Sequence, residues 1–381
     1  MSTPRPYAEE IAAVRDSLAT MGEPWRAGET VLSRLAGESR RVRLGVPAPS
    51  AAEVEARADL SGRMREVALG AAGQRCTARL APGSTLPVTF DLRDVCGRSY
   101  VTPVKDQGES GACSAFGTVA ALEGTAAWTR RNTGMLLDLS EAHLFYGFAP
   151  GHRGEGDTGA WPNDLMGDCA QHGVTFEDYW PFSDEETGAI HPDWANRVAR
   201  AEGVVDLTQD PAAIKHHIYG YGPVAACMVI YDDFFHYTGG IYRPTTTETS
   251  GGHCVALIGW DDEQHCWIAK NSWGTDWGEA GFFRIGYGEA FIEDYPDPRP
   301  TSLGCTGVTL RAWLPPQRAL RLFSGGDEGW VYLERLGWAR LSGDAGSVGG
   351  QLALLAEARA GGHPVSPFLD HGVLTRVATT Y

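Results

Sequence analysis

The sequence has no run of apolar residues long enough to cross a bilayer as a helix. That excludes the usual helical membrane protein, and no membrane partner is expected. Positive charge is also scarce. Lys and Arg total 32 against 48 Asp and Glu, for a net charge of −16. A chain this acidic is repelled by phosphate backbones and anionic lipid, so nucleic acid is not an expected partner either. No CxxC pair and no His/Cys cluster has metal-ligand spacing, so no metal or other cofactor is implied. The first ten residues lack the basic-then-apolar layout of a signal peptide. They read as the start of a cytoplasmic protein, with export by another route left open.

What remains is an ordinary globular composition, 43% hydrophobic and 21% charged. A length of 381 residues suggests two or three compact units. One stretch organises them: Val101-Thr-Pro-Val-Lys-Asp-Gln107-Gly-Glu-Ser-Gly-Ala-Cys113-Ser-Ala-Phe116. Pro103 biases its opening toward an extended shape, and Gly108 and Gly111 permit a tight loop. From Cys113 onward, Phe116, Val119, Ala120, Leu122, Glu123 and Ala126 recur at helical spacing. This places Cys113 in the first turn of a buried helix. Free N–H groups and the helix dipole favour a thiolate there.

A cysteine taken alone is more often small core filler. Two later stretches shift that reading. Gly251-Gly252-His253-Cys-Val-Ala-Leu-Ile-Gly259-Trp260 and Cys266-Trp-Ile-Ala-Lys-Asn271-Ser-Trp273 read as strands around the polar turn 261–265. In a hairpin centred near residue 262, His253 faces Asn271. The carboxamide would then hold the imidazole in one tautomer beside a nucleophile.

These motifs resemble the papain family of cysteine peptidases. The resemblance runs from about Leu86 to Gly288. It includes Gln107, the Asn271-Ser-Trp-Gly274 run, Trp277-Gly278-Glu279 and Phe234-Phe235-His-Tyr-Thr-Gly-Gly240. It implies an α+β fold of two lobes, one helical and one β-rich, with a cleft between them. Cys113 would be the nucleophile, His253 the base and acid, Asn271 its orienting partner and Gln107 an oxyanion donor. A peptide or protein would be hydrolysed through an acyl-enzyme. Gly159, Ala160, Trp161 and Pro162 would bind the substrate backbone, with Ala160 in place of a glycine. Cys227, Gly251, Gly252 and Tyr295 would complete the binding wall, and Trp273 would shield the His253–Asn271 bond.

The chain departs from the family at Ser110 and Ser114, where Cys and Trp are usual. With Ser110, and no cysteine in 155–159, both ends of the usual disulfide are missing. That suits a bacterial-type member in a reducing compartment. Two alternatives stay open: a non-enzymatic binding protein on a peptidase fold, and a dedicated peptide-maturing or ligating enzyme using the same site.

Three regions follow. Residues 1–85 form a helical extension, with Ile11, Val14, Leu18 and Met21 on one helix face, a weaker run at 30–36, and a helix over Ala51–Leu69. By resemblance it is a self-inhibitory prosegment, and its Arg40-Arg41-Val-Arg43 run suits docking on an acidic body. A structural arm is the equal alternative. Residues 86–305 form the catalytic domain, helices first and strands second, with a polar excursion from Pro181 to about Asp206. Residues 306–381 form a small β-rich appended domain, with strands at 307–314, 330–338 and 372–377 and a helix at 351–359. Its aromatic residues are expected in its core.

Overall fold

The computed structural model describes residues 7–135, 137–152, 159–325 and 328–379. The N-terminal extension carries α1 (Tyr7–Thr20), β1 (Trp25–Ala27), α2 (Gly37–Arg41) and α3 (Ala51–Gly70). The body begins with β2 (Thr89–Asp91), α4 (Cys113–Thr129), α5 (Pro162–Gln171), β3 (Val174–Thr175), β4 (Val198–Asp206) and α6 (Pro211–Gly220). It continues as β5 (Val224–Tyr231), β6 (Tyr237–Tyr242), β7 (Thr249–Asp261), β8 (Cys266–Lys270) and β9 (Phe282–Gly286). Then come β10 (Ser302–Trp313), β11 (Ala319–Gly325), β12 (Glu328–Leu333), β13 (Gly337–Arg340), α7 (Ala345–Gly361), β14 (Val365–Asp370) and β15 (Val373–Thr379).

The body's α-helices all end by Gly220 and most of its strands follow, and the fold is α+β as expected. The long sheet runs β1-β6-β9-β8-β7-β5-β10-β14-β15, with β2 on β7 and β4 on β10. Helix α4 packs on β5, β7 and β10. All of α4 but Ala120 and Thr129 is buried, so it is a core helix with hardly any solvent face. Beyond it, Ser140 accepts the His143 N–H at 3.0 Å and opens the next helical turn, as an N-cap should.

The hairpin register differs from expectation. Ala256 faces Lys270, and beyond a bulge at Ile258, Trp260 faces Trp267. His253 therefore pairs with Met228 of β5, not with Asn271. The turn is centred later because Asp261 Oδ1 takes the N–H groups of Glu263 and Gln264, and His265 adopts a left-handed φ of 58°.

The polar excursion also hides a strand. Residues 198–206 form β4, which pairs with β10 about a hundred positions on. Its Ala, Arg, Glu and Gly residues carry little strand preference, and a distant partner supplies the order. The expected boundary at 305/306 falls inside β10. Residues 302–311 of that strand pair with β4 and β5, and Ala312 and Trp313 pair with β14. The C-terminal unit thus shares a strand with the body. Its core is aliphatic, built from Val331, Leu333, Leu341, Val348, Leu355 and Leu374. The expectation of aromatic residues in this core holds only in part: Phe368 is buried, but Phe323 is 56% and Trp338 49% exposed.

The extension is woven into the body. Trp25 of β1 pairs with Gly240, stacks near Tyr237 and Tyr242, and donates Nε1–H to the Arg243 carbonyl at 2.9 Å. In α1, Ile11 and Leu18 are buried, but Met21 lies past the helix end and is exposed. The expected run at 30–36 is not helical; residues 31–34 form turns, because the Thr30 hydroxyl captures the Leu32 and Ser33 N–H groups. Ser50 and Glu53 form a reciprocal cap that starts α3. Arg40 meets the body only at the Phe235 ring, 5.9 Å from its guanidinium. It is buried against Glu10 and the carbonyls of Leu32, Ser33 and Leu35.

Candidate active site

Cys113 is the first residue of α4 and is fully buried. No side chain caps this helix, so the positive end of its dipole acts on the residue that opens it. Gln107 lies on the loop before it. Ser272 donates its hydroxyl to Gln107 Oε1 at 2.7 Å, which fixes the amide and leaves Nε2 as donor. That nitrogen donates to the carbonyls of Ser110 and Arg43, at 2.7 and 3.0 Å.

Across the cleft, His253 Nε2 and Asn271 Oδ1 are 2.7 Å apart. The two residues meet although they are not strand partners. His253 sits on β7 beyond the end of β8, and Asn271 is the residue after β8. The neighbouring amide of Cys254 interacts with the Cys113 sulfur, which brings the imidazole beside the thiol. His253 Nδ1 is buried and makes no hydrogen bond of good geometry. Trp273 packs on the ring at 4.6 Å and is itself held by Phe235 and Trp277. It is buried behind His253, not in the cleft wall.

A buried polar cluster braces the two sides. Thr102 donates to Glu123 Oε2 at 2.6 Å, and Lys270 donates to Thr102 at 3.0 Å. Lys105 bonds Glu141 and Asp138 at 3.0 and 2.8 Å. Burial pushes the Glu141 carboxyl up to about 8. Glu123 belongs to α4 and Lys270 precedes Asn271, so this cluster ties the candidate nucleophile's helix to the Asn271 strand end.

The cleft is filled by the chain's own residues 43–47. Arg43 pairs with Asp106 at 2.8 Å, and its carbonyl takes Gln107 Nε2–H. Gly45 donates its N–H to Cys113 Sγ at 3.2 Å and accepts the Ala160 N–H at 2.9 Å. Val46 donates to the Gly252 carbonyl at 3.2 Å, and Tyr295 donates its hydroxyl to the Pro47 carbonyl at 2.7 Å. The passage is tight. A methyl added at Gly45 would fall 1.6 Å from the Gly111 carbonyl oxygen. One added at Gly159 would fall 1.7 Å from the Gly45 oxygen.

This cover governs the charges beneath it. Burial pushes the Cys113 thiol up to about 12, an effect that Cys254 reinforces. Burial lowers His253 to about 4, against smaller opposing effects of Asn271 and the Arg43 carbonyl. Near neutral pH the covered pair is a neutral thiol and a neutral imidazole.

The residues expected from the sequence largely converge here. Gly159, Ala160, Gly252 and Tyr295 touch the 43–47 segment directly, and Gly251 lies against Leu44. Trp161 stands edge-on to Tyr295 at 6.2 Å, with Pro162 opening α5 behind it. Cys227 is fully buried on β5 in the same cluster as Cys113 and Tyr295. Ser114 donates to the Ala160 carbonyl at 2.6 Å and so braces that wall. Of the run 155–159, positions 155–158 lie outside the described residues. Sequence reasoning missed Cys254, Ser272, Asp106 and above all Gly45. The signal for the last was an apolar-Gly-apolar-Pro run directly after Arg43. No group of three or more His, Cys, Asp or Glu among the described residues is arranged to hold a metal.

Comparison with known proteins gives a consistent picture. The chicken (Gallus gallus) cathepsin K is 32% identical over 204 residues, 52% of this chain and 58% of that protein. The mouse (Mus musculus) pro-cathepsin H is 32% identical over 214 residues, 53% and 62% of the two chains. This chain thus spans about three-fifths of the length of these curated relatives. Among solved structures, the digestive procathepsin L2 proteinase of Tenebrio molitor larval midgut superposes with a TM-score of 0.60 at 23% identity. The match covers 80% of this chain and 95% of that one. The recombinant stem bromelain precursor gives 0.56 at 20% identity, covering 79% and 89%. At these identities the superpositions speak for the fold. The sequence model described as papain family cysteine protease matches residues 86–295, more than half of the chain. The chain belongs to the papain family of cysteine proteases.

Proposed function

We propose that this chain is a thiol-dependent peptidase held in a latent form. The observation that carries the reading is the 2.7 Å His253–Asn271 bond beside Cys113 at the start of α4. Once the cleft is open and hydrated, the helix dipole and the imidazole favour a thiolate–imidazolium pair. Cys113 then attacks a peptide carbonyl, and Gln107 Nε2–H and the Cys113 amide bind the oxyanion. His253 gives its proton to the leaving amine, and water releases the acyl-enzyme with His253 as base. Asn271 holds the ring so that Nδ1 is the nitrogen that works.

The 43–47 segment supplies the latency. It offers Cys113 an amide N–H where a substrate would offer a carbonyl carbon, and its Arg43 carbonyl occupies the oxyanion donor. The substrate is an extended peptide that replaces this segment on Ala160 and Gly252. Free thiols throughout and Ser110 in place of cysteine favour a reducing compartment.

The test is hydrolysis of a fluorogenic peptide before and after the extension is cleaved. Activity should rise on cleavage and vanish in Cys113→Ala, which swaps one small residue for another. Equal turnover by the alanine variant would overturn the assignment.

A further inference from the structure

Two more thiols stand beside Cys113, and the proposed reaction uses neither. Cys227 and Cys254 are directly opposite each other on antiparallel β5 and β7. Cys227 donates its N–H away from β7, to Thr301 at 2.9 Å, so the two form a non-hydrogen-bonded pair. In such pairs the Cα atoms are about 4.5 Å apart and the side chains share one face. That separation lies inside the disulfide range of about 4.4–6.8 Å. The two thiols are within hydrogen-bonding reach of one another.

The pair also lies next to the candidate nucleophile. The Cys254 amide interacts with the Cys113 sulfur. The Cys254 sulfur packs on Gly117, and a methyl at that glycine would fall 2.7 Å from it. Cys113 and Gly117 are four residues apart on α4, one above the other on a single helix face. Cys254 therefore spans from the nucleophile's sulfur to the turn beneath it, with Cys227 beside it. All three cysteines are buried in one cluster.

We propose that Cys254 and Cys227 form a resolving dithiol that captures peroxide oxidation of Cys113 as a reversible cross-strand disulfide. With the cleft open, hydrogen peroxide oxidises the Cys113 thiolate to a sulfenic acid, and the released hydroxide takes the His253 imidazolium proton to leave as one water. The Cys254 thiol attacks that sulfur, forms a Cys113–Cys254 disulfide and releases a second water. Cys227 then attacks the Cys254 sulfur, and its proton passes to the departing Cys113 thiolate. The products are a Cys227–Cys254 disulfide and a restored Cys113 thiol. Peroxide has gained two electrons and the pair has lost two. Without the pair, the sulfenic acid proceeds to sulfinic acid, which reductant does not reverse.

The inference takes Cys113 as the reactive thiol of the proposed site, but its test reads mass and needs no substrate. A failed peptidase assay would leave it standing. The full chain, nicked in its extension to open the cleft, is treated with excess hydrogen peroxide, quenched by alkylation and mapped by mass spectrometry, with and without dithiothreitol. Wild type should show a Cys227–Cys254 bridge that dithiothreitol removes, with Cys113 recovered as thiol. Cys227→Ser should trap the Cys113–Cys254 bridge. Cys254→Ala should carry Cys113 to sulfinic acid at least fivefold faster than wild type. Cys113→Ser should form the 227–254 bridge at least fivefold more slowly. The proposal is overturned if wild type forms no 227–254 bridge. It is equally overturned if Cys254→Ala loses Cys113 no faster than wild type, or if Cys113→Ser forms the bridge at the wild-type rate.

Discussion

Replacing Gly45 by alanine should unseat the segment that covers Cys113. The added methyl would fall 1.6 Å from the Gly111 carbonyl oxygen, a backbone atom on the loop entering α4. On the other side, the Gly45 carbonyl already lies against Gly159 and Ala160. The segment cannot shift without losing its two Gly45 hydrogen bonds, each worth about 1 kcal/mol net. Forcing a methyl into a packed site adds about 1–3 kcal/mol. Together these weaken closure by about 3–5 kcal/mol, a rise of roughly 10²–10³ or more in the open population. The assay is the rate of Cys113 alkylation by iodoacetamide in the full chain, mapped by mass spectrometry. Exposed Cys96 serves as the internal standard. Gly37→Ala is the control, because a methyl there meets nothing within 4 Å. Cys113 labelling in Gly45→Ala within threefold of wild type, in a folded protein, would refute the reasoning.

Acid should loosen the same closure. In Cys113→Ala, where the open imidazole has no thiolate to pair with, burial holds covered His253 near 4 while the open ring titrates near 6.5, so between these values only the open form takes up a proton. Closure is therefore complete above about 6.5 and weakens as pH falls toward 4, by up to about 3 kcal/mol. His236, buried against Glu10 of the extension, shifts in the same direction. Hydrogen exchange at residues 43–47 of this variant, corrected for intrinsic rate, should rise more than tenfold from pH 6.5 to 4.5; a flat profile would count against the mechanism. In opened enzyme, Gln107→Ala should lower kcat by about 10²–10³ with little change in KM, as loss of an oxyanion donor does. Removing residues 1–83 should lower Tm by about 10 °C or more, because it strips Trp25 from the Tyr237–Tyr242 cluster. An unchanged melting curve would show the extension to be a detachable cover.

Much of the site was legible because its chemistry is written locally. Cys113 stands where a Gly-rich loop meets a helical period, and both glycines and period are visible in the chain. His253 and Asn271 could be paired from a hairpin, although the assumed register was off. The error was harmless because a hydrogen bond between long side chains tolerates a shift that strand pairing does not. What stayed hidden depends on distant partners. Strand β4 is ordered by β10, and its own residues would suit a loop as well. Arg40 and Arg43 look alike in sequence, yet one makes its hydrogen bonds inside the extension and the other docks on Asp106. The Cys227–Cys254 contact could not be foreseen, because nothing local fixes the register of β5 against β7.

The pairing of β1 with β6 also has a meaning in time. Trp25 hydrogen-bonds Arg243, 218 residues further along. At ordinary rates of synthesis the two ends leave the ribosome roughly 10–40 s apart. The cover at 43–47 has emerged long before Cys113, and Cys113 long before His253 and Asn271. The thiol therefore gains its base only after the segment that shields it is already available. Such long-range closure is slow to form, and the body cannot complete the β6 edge of its sheet without the extension in place. During synthesis, the order of residues along the chain acts as a safety interlock on the nucleophile.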